Sequence, residues 1–431
     1  MAAWQDLERP ALEAIEAECR ASYQAYKARG LKLDMSRGKP GPEQLDLTLD
    51  MLDCVNARDG YRTEGGADTR NYGVPDGIPE ARELLGAMMG VPADNVIVGG
   101  NSSLNLMFDY IATAYAKGVC GEEPWCHQGK SKFLCPSPGY DRHFAVTEYF
   151  GFELVTVDMT ESGPDMDQVE SYVRDPLVKG IWCVPMYSNP DGITYSDETV
   201  RRLAALRPAA SDFRIMWDNA YCVHHLSDTP DVLLNLYEEA KAAGNEDIAI
   251  FFASTSKISF PGSGIAGIAA SPRNLADIRR RLSIQTIGSD KLNMLRHARF
   301  FKNIDGIHAH MKRHAAILRP KFAVVLDTLS KELGGLGIAS WHEPHGGYFV
   351  SVNLLPGCAK ETVRLLAEAG VVMTGAGATY PYGQDPKDSN IRIAPTFPSV
   401  EELKTAMELF CICAKLAAAR RLLDKGNSLS A

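Results

Sequence analysis

Residues 253–264 read ASTSKISFPGSG and place a single lysine, Lys257, among small hydroxyl residues and glycines. The run before this stretch, residues 248–252 (IAIFF), is short, continuous and apolar, which predicts a buried strand. A lysine just past such a strand can be held near neutrality by desolvation, and a neutral amine can form a Schiff base with an aldehyde cofactor. The hydroxyl and N–H groups of residues 254–256 suit a phosphate. Taken alone, the stretch fits a Ser/Gly turn with a solvated lysine equally well.

The composition is that of an ordinary enzyme. Its 431 residues predict one large domain and a smaller one. Hydrophobic residues make up 45% of the chain and charged residues 23%, as in a typical soluble protein. The net charge of -9 argues against a nucleic-acid partner, although a local arginine can still bind an acidic small substrate.

The N-terminal sequence, MAAWQDLERPALEAIEAE, carries acidic residues and no apolar segment, so we do not expect a signal peptide. No apolar run is long enough to cross a bilayer. The ten cysteines include no C-x-x-C pair, which suits reduced thiols, and we expect a cytoplasmic protein. No nearby set of ligands completes a metal site around His224 and His225, so we expect no metal.

Short apolar strands alternate with helical patterns through the middle of the chain. The predicted strands are residues 96–98, 132–135, 153–159, 180–185, 214–217, 248–252 and 265–270. This alternation predicts an α/β fold with a mostly parallel, seven-stranded sheet covered on both faces. Ligands of such sheets bind beyond the carboxyl ends of the strands. The polar loops that should converge there are residues 99–102, 136–140, 188–190, 218–221 and 254–257.

The two ends of the chain predict a second, smaller α+β unit. After Pro320 we expect helices at 321–333, 360–369 and 400–416, and strands at 348–352, 371–374 and 390–394. The predicted large domain is residues 50–318, and the predicted small domain combines residues 1–49 with 319–431. The polar loop at residues 58–77 is too long for a simple connection, so it is expected to be functional or to lie at an interface.

The first strand-to-helix unit offers a second place for an anion. Gly99 and Gly100 make a tight turn after strand 96–98, and Asn101 or Ser102 caps the following helix. The free N–H groups of a helix N-terminus attract phosphate. For this unit alone, a plain capped turn is the more probable interpretation.

Four motifs, in this order along the chain, carry a resemblance to a known family. They are MSRGKPGPEQLDL (35–47), RNYGVPDGIPEAR (70–82), STSKISFPGSG (254–264) and RIAPTFPS (392–399). Over nearly its whole length the chain resembles the fold-type I aminotransferases that use pyridoxal 5′-phosphate. It is most similar to their divergent bacterial aspartate aminotransferase subgroup. The resemblance implies a homodimer with shared active sites, and amino acids and 2-oxo acids as substrates.

The resemblance implies a role for each residue around the cofactor ring. Lys257 would carry the cofactor as a Schiff base and act as general base and acid. Asp218 would keep the pyridine nitrogen protonated, which makes the ring a better electron sink. Tyr221 and Asn189 would hydrogen-bond the ring's phenolate oxygen, and Tyr140 would stack on the ring.

The cofactor phosphate would be held by hydroxyl and N–H donors at the first strand-to-helix turn and beside the lysine: Gly100, Asn101, Ser102, Ser254 and Ser256. Tyr72 would reach the phosphate of the neighbouring subunit. Many members of the family also carry an arginine shortly after the lysine, and residues 258–265 contain none. A basic residue from elsewhere, or the hydroxyl and N–H donors alone, must then hold the phosphate.

The resemblance also implies how the substrate is bound. Arg392 would bind the α-carboxylate through two parallel bonds, next to Asn189 and the N–H of Gly38. A second cation would read a side-chain carboxylate, and Arg37 is the first candidate and Lys291 the second. Taken singly, each of these residues also fits a bland role, such as a surface ion pair for Arg392.

The lead interpretation is a transaminase that uses aspartate and 2-oxoglutarate in a ping-pong cycle, giving oxaloacetate and glutamate. An aminotransferase for aromatic or alanine-type substrates and a pyridoxal phosphate lyase share the cofactor residues and remain open. A non-enzymatic sensor fused to a DNA-binding module is disfavoured, because the N-terminus has no basic helix-turn-helix pattern and the net charge is -9.

Overall fold

The computed structural model describes residues 3–428, with side chains up to residue 424. Within that range no helix is long and apolar enough to span a membrane. The α-helices are α1 Arg9–Lys27, α2 Pro42–Asp46, α3 Pro79–Met89, α4 Ser103–Lys117, α5 Asp141–Tyr149, α6 Met166–Tyr172, α7 Asp197–Ala205, α8 Leu236–Ala242, α9 Pro272–Gln285, α10 Lys291–Phe301, α11 Ile304–Leu333, α12 Ala359–Glu368 and α13 Val400–Ser428.

The strands fall close to the predicted positions, with three short additions. They are β1 Leu33–Asp34, β2 Val96–Val98, β3 Lys132–Ser137, β4 Glu153–Thr160, β5 Gly163–Pro164, β6 Val178–Cys183, β7 Arg214–Asp218, β8 Ala249–Ser254, β9 Ala266–Ala270, β10 Ala339–Trp341, β11 Val350–Leu354, β12 Val371–Val372 and β13 Asn390–Ile393. The additions β1, β5 and β10 have two or three residues each, too few to show a hydrophobic period.

The central sheet has the strand order β2-β9-β8-β7-β6-β3-β4-β5. Five neighbouring strands, from β8 to β4, run parallel. Strand β9 is antiparallel to both β8 and β2, so β2 points the same way as the parallel set. The predicted α/β fold with a mostly parallel seven-stranded sheet is confirmed, and β5 adds a two-residue edge strand.

Every residue of β6 and β7 is buried, because helices cover both faces of the sheet. In the register between β7 and β8, Asp218 pairs with Phe252. The last residue of β7 therefore lies beside the end of β8, two residues before Ser254 and five before Lys257. This register is what places the predicted carboxylate next to the predicted lysine.

The rest of the chain forms two further sheets. Strands β10, β11 and β13 make an antiparallel sheet, in which Ser351 pairs with Arg392. Strands β1 and β12 pair in parallel, so the N-terminal segment is hydrogen-bonded to the C-terminal part of the chain. One buried cluster also combines residues of α1, such as Tyr23, with residues of α13, such as Phe410. The division into two domains at residues 318/319 stays a prediction.

The helix predicted at residues 321–333 is wrong at its start, because α11 begins at Ile304 and Pro320 lies inside it. The Asn303 side chain caps this helix by accepting from the Gly306 N–H at 3.0 Å. Proline removes one helical hydrogen bond, but the buried face continues across it from Leu318 to Phe322. Burial on both sides of Pro320 offsets the local cost.

Candidate active site

The loops that follow the carboxyl ends of the parallel strands meet at one place. Two adjoining cavities, of about 180 and 470 Å³, lie there and share Tyr140, Asn189, Tyr221 and Lys257 among their lining residues. The smaller cavity is also lined by Ser102, Asp218, Ser254 and Ser256. The structure thus brings together predicted residues from five separate loops.

Lys257 lies just beyond β8 and is partly buried. Its Nζ is 4.9 Å from the centre of the Tyr221 ring. Burial lowers the pKa of Lys257, and the charge of Asp218 opposes part of that effect. Burial also raises the pKa of Tyr221, which keeps its hydroxyl protonated. The lysine amine is therefore biased toward the neutral, nucleophilic form.

Asp218 is buried, and its two carboxylate oxygens differ. Oδ2 lies 2.9 Å from Nε2 of His143, whereas Oδ1 is buried with no partner among the described residues. A buried acceptor without a donor is costly, and a protonated pyridine nitrogen is a donor of the right kind. The unpartnered oxygen therefore fits the ring of pyridoxal phosphate.

Sequence reasoning missed His143. It is fully buried, stacks on Trp182 with ring centres 4.4 Å apart, and fixes the orientation of Asp218. Its position three residues after Tyr140, in the first turn of α5, was the available signal. A histidine there lies at the sheet edge where the predicted loops converge.

The predicted phosphate donors lie together at the N-terminus of α4. Ser102 caps this helix, accepting from the N–H of Asn105 at 3.4 Å. Ser254 donates to Ser256 at 3.0 Å, and Ser256 donates to the carbonyl of Asn101 at 3.3 Å. Gly100 has a φ of 64°, a conformation that favours glycine. This arrangement of donors at a helix N-terminus suits a phosphate.

The segment after Lys257 has no room for a side chain at Gly264, where a Cβ would lie 2.9 Å from Oγ1 of Thr255. The segment lacks the arginine that many family members carry there, but Arg296 of α10 lies beside it and donates to Oγ of Ser263 at 2.6 Å. The Nε of Arg296 is buried with no partner among the described residues. Arg296 was missed because it is 39 residues away from Lys257 in sequence.

Arg392, on β13, is buried at the wall of the larger cavity. Its Nη1 donates to Asp141 at 3.0 Å and to Asn189 at 3.1 Å, while its Nε is buried without a partner among the described residues. The guanidinium also lies 4.8 Å from the centre of the Phe349 ring. Arg392 is thus held in place with donor capacity left for a carboxylate.

Gly38 lines the same cavity, and a Cβ there would lie 2.3 Å from Cζ of Phe349. Only glycine lets this turn approach so closely. Arg37 and Arg142 are exposed side chains on the rim of the cavity. Sequence reasoning missed Arg142, although it lies two residues after the loop that was expected to converge on the site.

Four predicted residues do not line either cavity: Gly100 and Asn101 in the turn before α4, and Lys291 and Tyr72 elsewhere in the chain. Lys291 is buried, and its Nζ donates to the carbonyl of Ser289 at 3.4 Å. Tyr72 is 80% exposed in the loop before α3. A residue that acts on a neighbouring subunit must be exposed in the monomer, so the role of Tyr72 stays a prediction.

The fold and the site define a class, the fold-type I aminotransferases that use pyridoxal phosphate. The chain belongs to the aspartate aminotransferase family, whose sequence profile, described as "Aspartate amino-transferase", matches residues 7–426. The family resemblance drawn from the four motifs is therefore confirmed.

Similar proteins cover the chain almost completely. A protein of Mycolicibacterium smegmatis described as a putative aminotransferase is 47% identical over 97% of this chain and 99% of its own length. An aspartate aminotransferase of Corynebacterium glutamicum is 43% identical over 96% of each chain. The crystal structure of an aspartate transaminase of Corynebacterium glutamicum has a TM-score of 0.95 and 42% identity, covering 98% of this chain and 99% of its own.

Proposed function

We propose that this aminotransferase acts on dicarboxylic substrates, with aspartate and 2-oxoglutarate as the pair and oxaloacetate and glutamate as products. The observation that carries the proposal is the presence of Arg37, Arg142 and Arg392 around one cavity that also contains Lys257. One buried arginine suits the α-carboxylate that every amino acid has. Two further cations at the rim suit a second carboxylate. The relative named aspartate aminotransferase supports the same choice.

Pyridoxal phosphate, when bound, supplies an aldehyde that takes up the amino group and a ring that draws electrons from the substrate Cα. Asp218 would hold the ring nitrogen, Tyr221 and Asn189 the ring oxygen, and Ser102, Ser254 and Ser256 the phosphate. Arg392 would bind the α-carboxylate and so orient the Cα–H bond. The amine of Lys257 would then take the Cα proton and return it to a neighbouring carbon. The same residues serve both halves of a ping-pong cycle.

A screen of amino donors against 2-oxoglutarate tests this proposal directly. We expect oxaloacetate and glutamate to form fastest with aspartate. Faster turnover of phenylalanine or alanine would contradict the substrate assignment. Repeated turnover of the amino acid without any 2-oxo acid, beyond one equivalent of product per site, would indicate a lyase instead.

Substitutions of the buried arginine and of the two rim arginines are expected to affect substrate preference differently. Arg392→Ala should depress turnover of aspartate and alanine alike, because both have an α-carboxylate. Loss of a charge-assisted bond to the side-chain carboxylate costs about 1.5–3 kcal/mol, so Arg37→Ala or Arg142→Ala should lower the aspartate-to-alanine ratio of kcat/KM by about 10- to 100-fold. Lys39→Ala, an exposed cation in the same turn as Arg37, is the control and should leave the ratio unchanged. An unchanged ratio in both rim variants would show that neither residue reads the side chain.

We propose that the protein works as a homodimer with shared sites. Large apolar side chains are exposed on the segment before the polar loop and around the start of α10: Leu49, Leu52, Ile287 and Leu292. The Gly73 N–H donates to the carbonyl of Ile287 at 3.2 Å, which ties the Tyr72 loop to this surface. Exposed apolar side chains grouped in this way are typical of a protein interface.

Tyr72→Phe is expected to weaken retention of pyridoxal phosphate while leaving the dimer intact, because only a hydroxyl toward the neighbouring phosphate is lost. Tyr149→Phe is the matched control, since Tyr149 is also exposed but lies on α5, where its ring contacts Phe108 and Phe150. Equilibrium dialysis of the cofactor and analytical ultracentrifugation provide the two measurements. Equal cofactor affinity in both variants would count against a shared site.

A further inference from the structure

A chain of buried polar side chains lies directly behind Lys257. The hydroxyl of Tyr348 donates to the main-chain carbonyl of Lys257 at 3.3 Å. The side-chain amide of Gln44 donates to the Tyr348 oxygen at 3.0 Å, and the same nitrogen lies 3.1 Å from Nδ1 of His314. Gln44, Tyr348 and His314 are each at most 1% exposed, so water does not compete for these bonds.

His310, which lies next to His314 in the same buried cluster, binds a second main-chain carbonyl. Nε2 of His310 donates to the carbonyl of Ile258 at 3.0 Å and lies 3.0 Å from Nε2 of His314. Two successive carbonyls, those of Lys257 and Ile258, are therefore bound from the same buried cluster.

Gln44 is itself held rigidly. Its Oε1 accepts from the Gly41 N–H at 3.1 Å, which closes a capping box at the start of α2. The neighbouring Glu43 pairs with the buried amine of Lys321 at 2.7 Å, and that amine also donates to the carbonyl of Thr396 at 3.1 Å. Helix α2 is therefore anchored to α11 and to the loop before α13.

We propose that Gln44, Tyr348 and His314 are positioning residues that fix the backbone of Lys257 and so direct its amine at the cofactor and at the substrate Cα. This inference rests on the proposed function of Lys257. A lysine side chain has four rotatable bonds, and its starting point is set by the main chain. A misplacement of about 1 Å at a reacting group can cost about 100-fold in rate. None of the three residues lines either cavity, so their effect must pass through the Lys257 peptide.

Tyr348→Phe tests the proposal, because it removes the hydroxyl and keeps the ring that stacks on Tyr221 with centres 6.1 Å apart. We expect kcat to fall about tenfold with KM unchanged, within the range for a small misplacement. We also expect a shift in the pH at which the visible absorbance of the bound cofactor changes, since that absorbance reports the state of the Lys257 nitrogen. Gln44→Met, which removes both the donor to Tyr348 and the acceptor of the Gly41 N–H and keeps the volume, should have the same two effects.

Tyr23→Phe is the matched control. The hydroxyl of Tyr23 is also buried and also donates to a main-chain carbonyl, that of Leu365 at 3.0 Å, but this carbonyl belongs to α12 and Tyr23 lines neither cavity. We expect it to leave kcat and the absorbance titration unchanged. If Tyr348→Phe behaves like Tyr23→Phe in both measurements, the positioning role is overturned.

The double variant Gln44→Met/Tyr348→Phe tests whether Gln44 acts on Lys257 through Tyr348 or independently of it. If Gln44 acts through Tyr348, kcat of the double variant should fall no further than kcat of either single variant. Full additivity of the two decreases in kcat would show that the residues act independently and would overturn this connection. A wild-type protein that binds pyridoxal phosphate without transaminating would defeat the proposed function. The absorbance titration would still test the positioning of Lys257.

Discussion

Lys257→Ala is expected to abolish steady-state transamination while leaving the fold intact. The variant loses both the amine that carries the cofactor and the group that moves the Cα proton, and a positioned proton carrier alone contributes about 10²- to 10⁴-fold. The fold should survive, because no described carboxylate pairs with the Lys257 amine and its burial works against the charged form. Turnover of aspartate with 2-oxoglutarate and thermal unfolding provide the two measurements.

Borohydride reduction of the loaded wild-type protein, followed by peptide mapping, identifies the lysine that carries the cofactor. We expect the label on Lys257 and no label in the alanine variant. A label on any other lysine would contradict the assignment of the site, even if Lys257→Ala proved inactive.

Asp218→Asn is expected to keep the fold and lose about 10²- to 10³-fold in turnover, as when a preorganised electrostatic contact is removed from an active site. An amide is neutral, so it cannot keep the ring nitrogen protonated. The substitution removes the negative charge of the carboxylate, whose Oδ1 has no partner among the described residues. Single-turnover deamination of aspartate by the loaded protein measures the effect without product release.

Asp212→Asn is the matched control for Asp218→Asn. Asp212 is equally buried, but its carboxylate pairs with Lys179 at 2.9 Å and accepts from the Trp125 indole at 2.9 Å, away from both cavities. Breaking a buried ion pair costs about 3–5 kcal/mol, so this variant should unfold at a lower temperature with normal turnover per folded molecule. Near-wild-type deamination by Asp218→Asn would refute the role of its charge.

The sequence predicted the parts of the site that local patterns encode. Lys257 was found because an apolar strand followed by small residues leaves a lysine at a sheet edge. The strands of the sheet were found because a buried strand is a short continuous apolar run with clear ends. The start of α11 was predicted wrongly because proline reads as a helix boundary, and only the packing on both sides of Pro320 shows that the helix continues.

Other features depend on which segments meet in three dimensions. Gln44 lies 270 residues from His314 and 304 from Tyr348, and no periodicity links them. His143 and Arg142 follow a predicted loop, but their places behind Asp218 and at the cavity rim are set by the start of α5. Helices and strands can be predicted from sequence because their hydrophobic patterns have a fixed period. For this protein, the sequence alone also determined the class of enzyme and identified Lys257 as the candidate cofactor lysine. The groups that orient that lysine are decided by tertiary packing, because contacts between distant segments follow from the shape of the whole core.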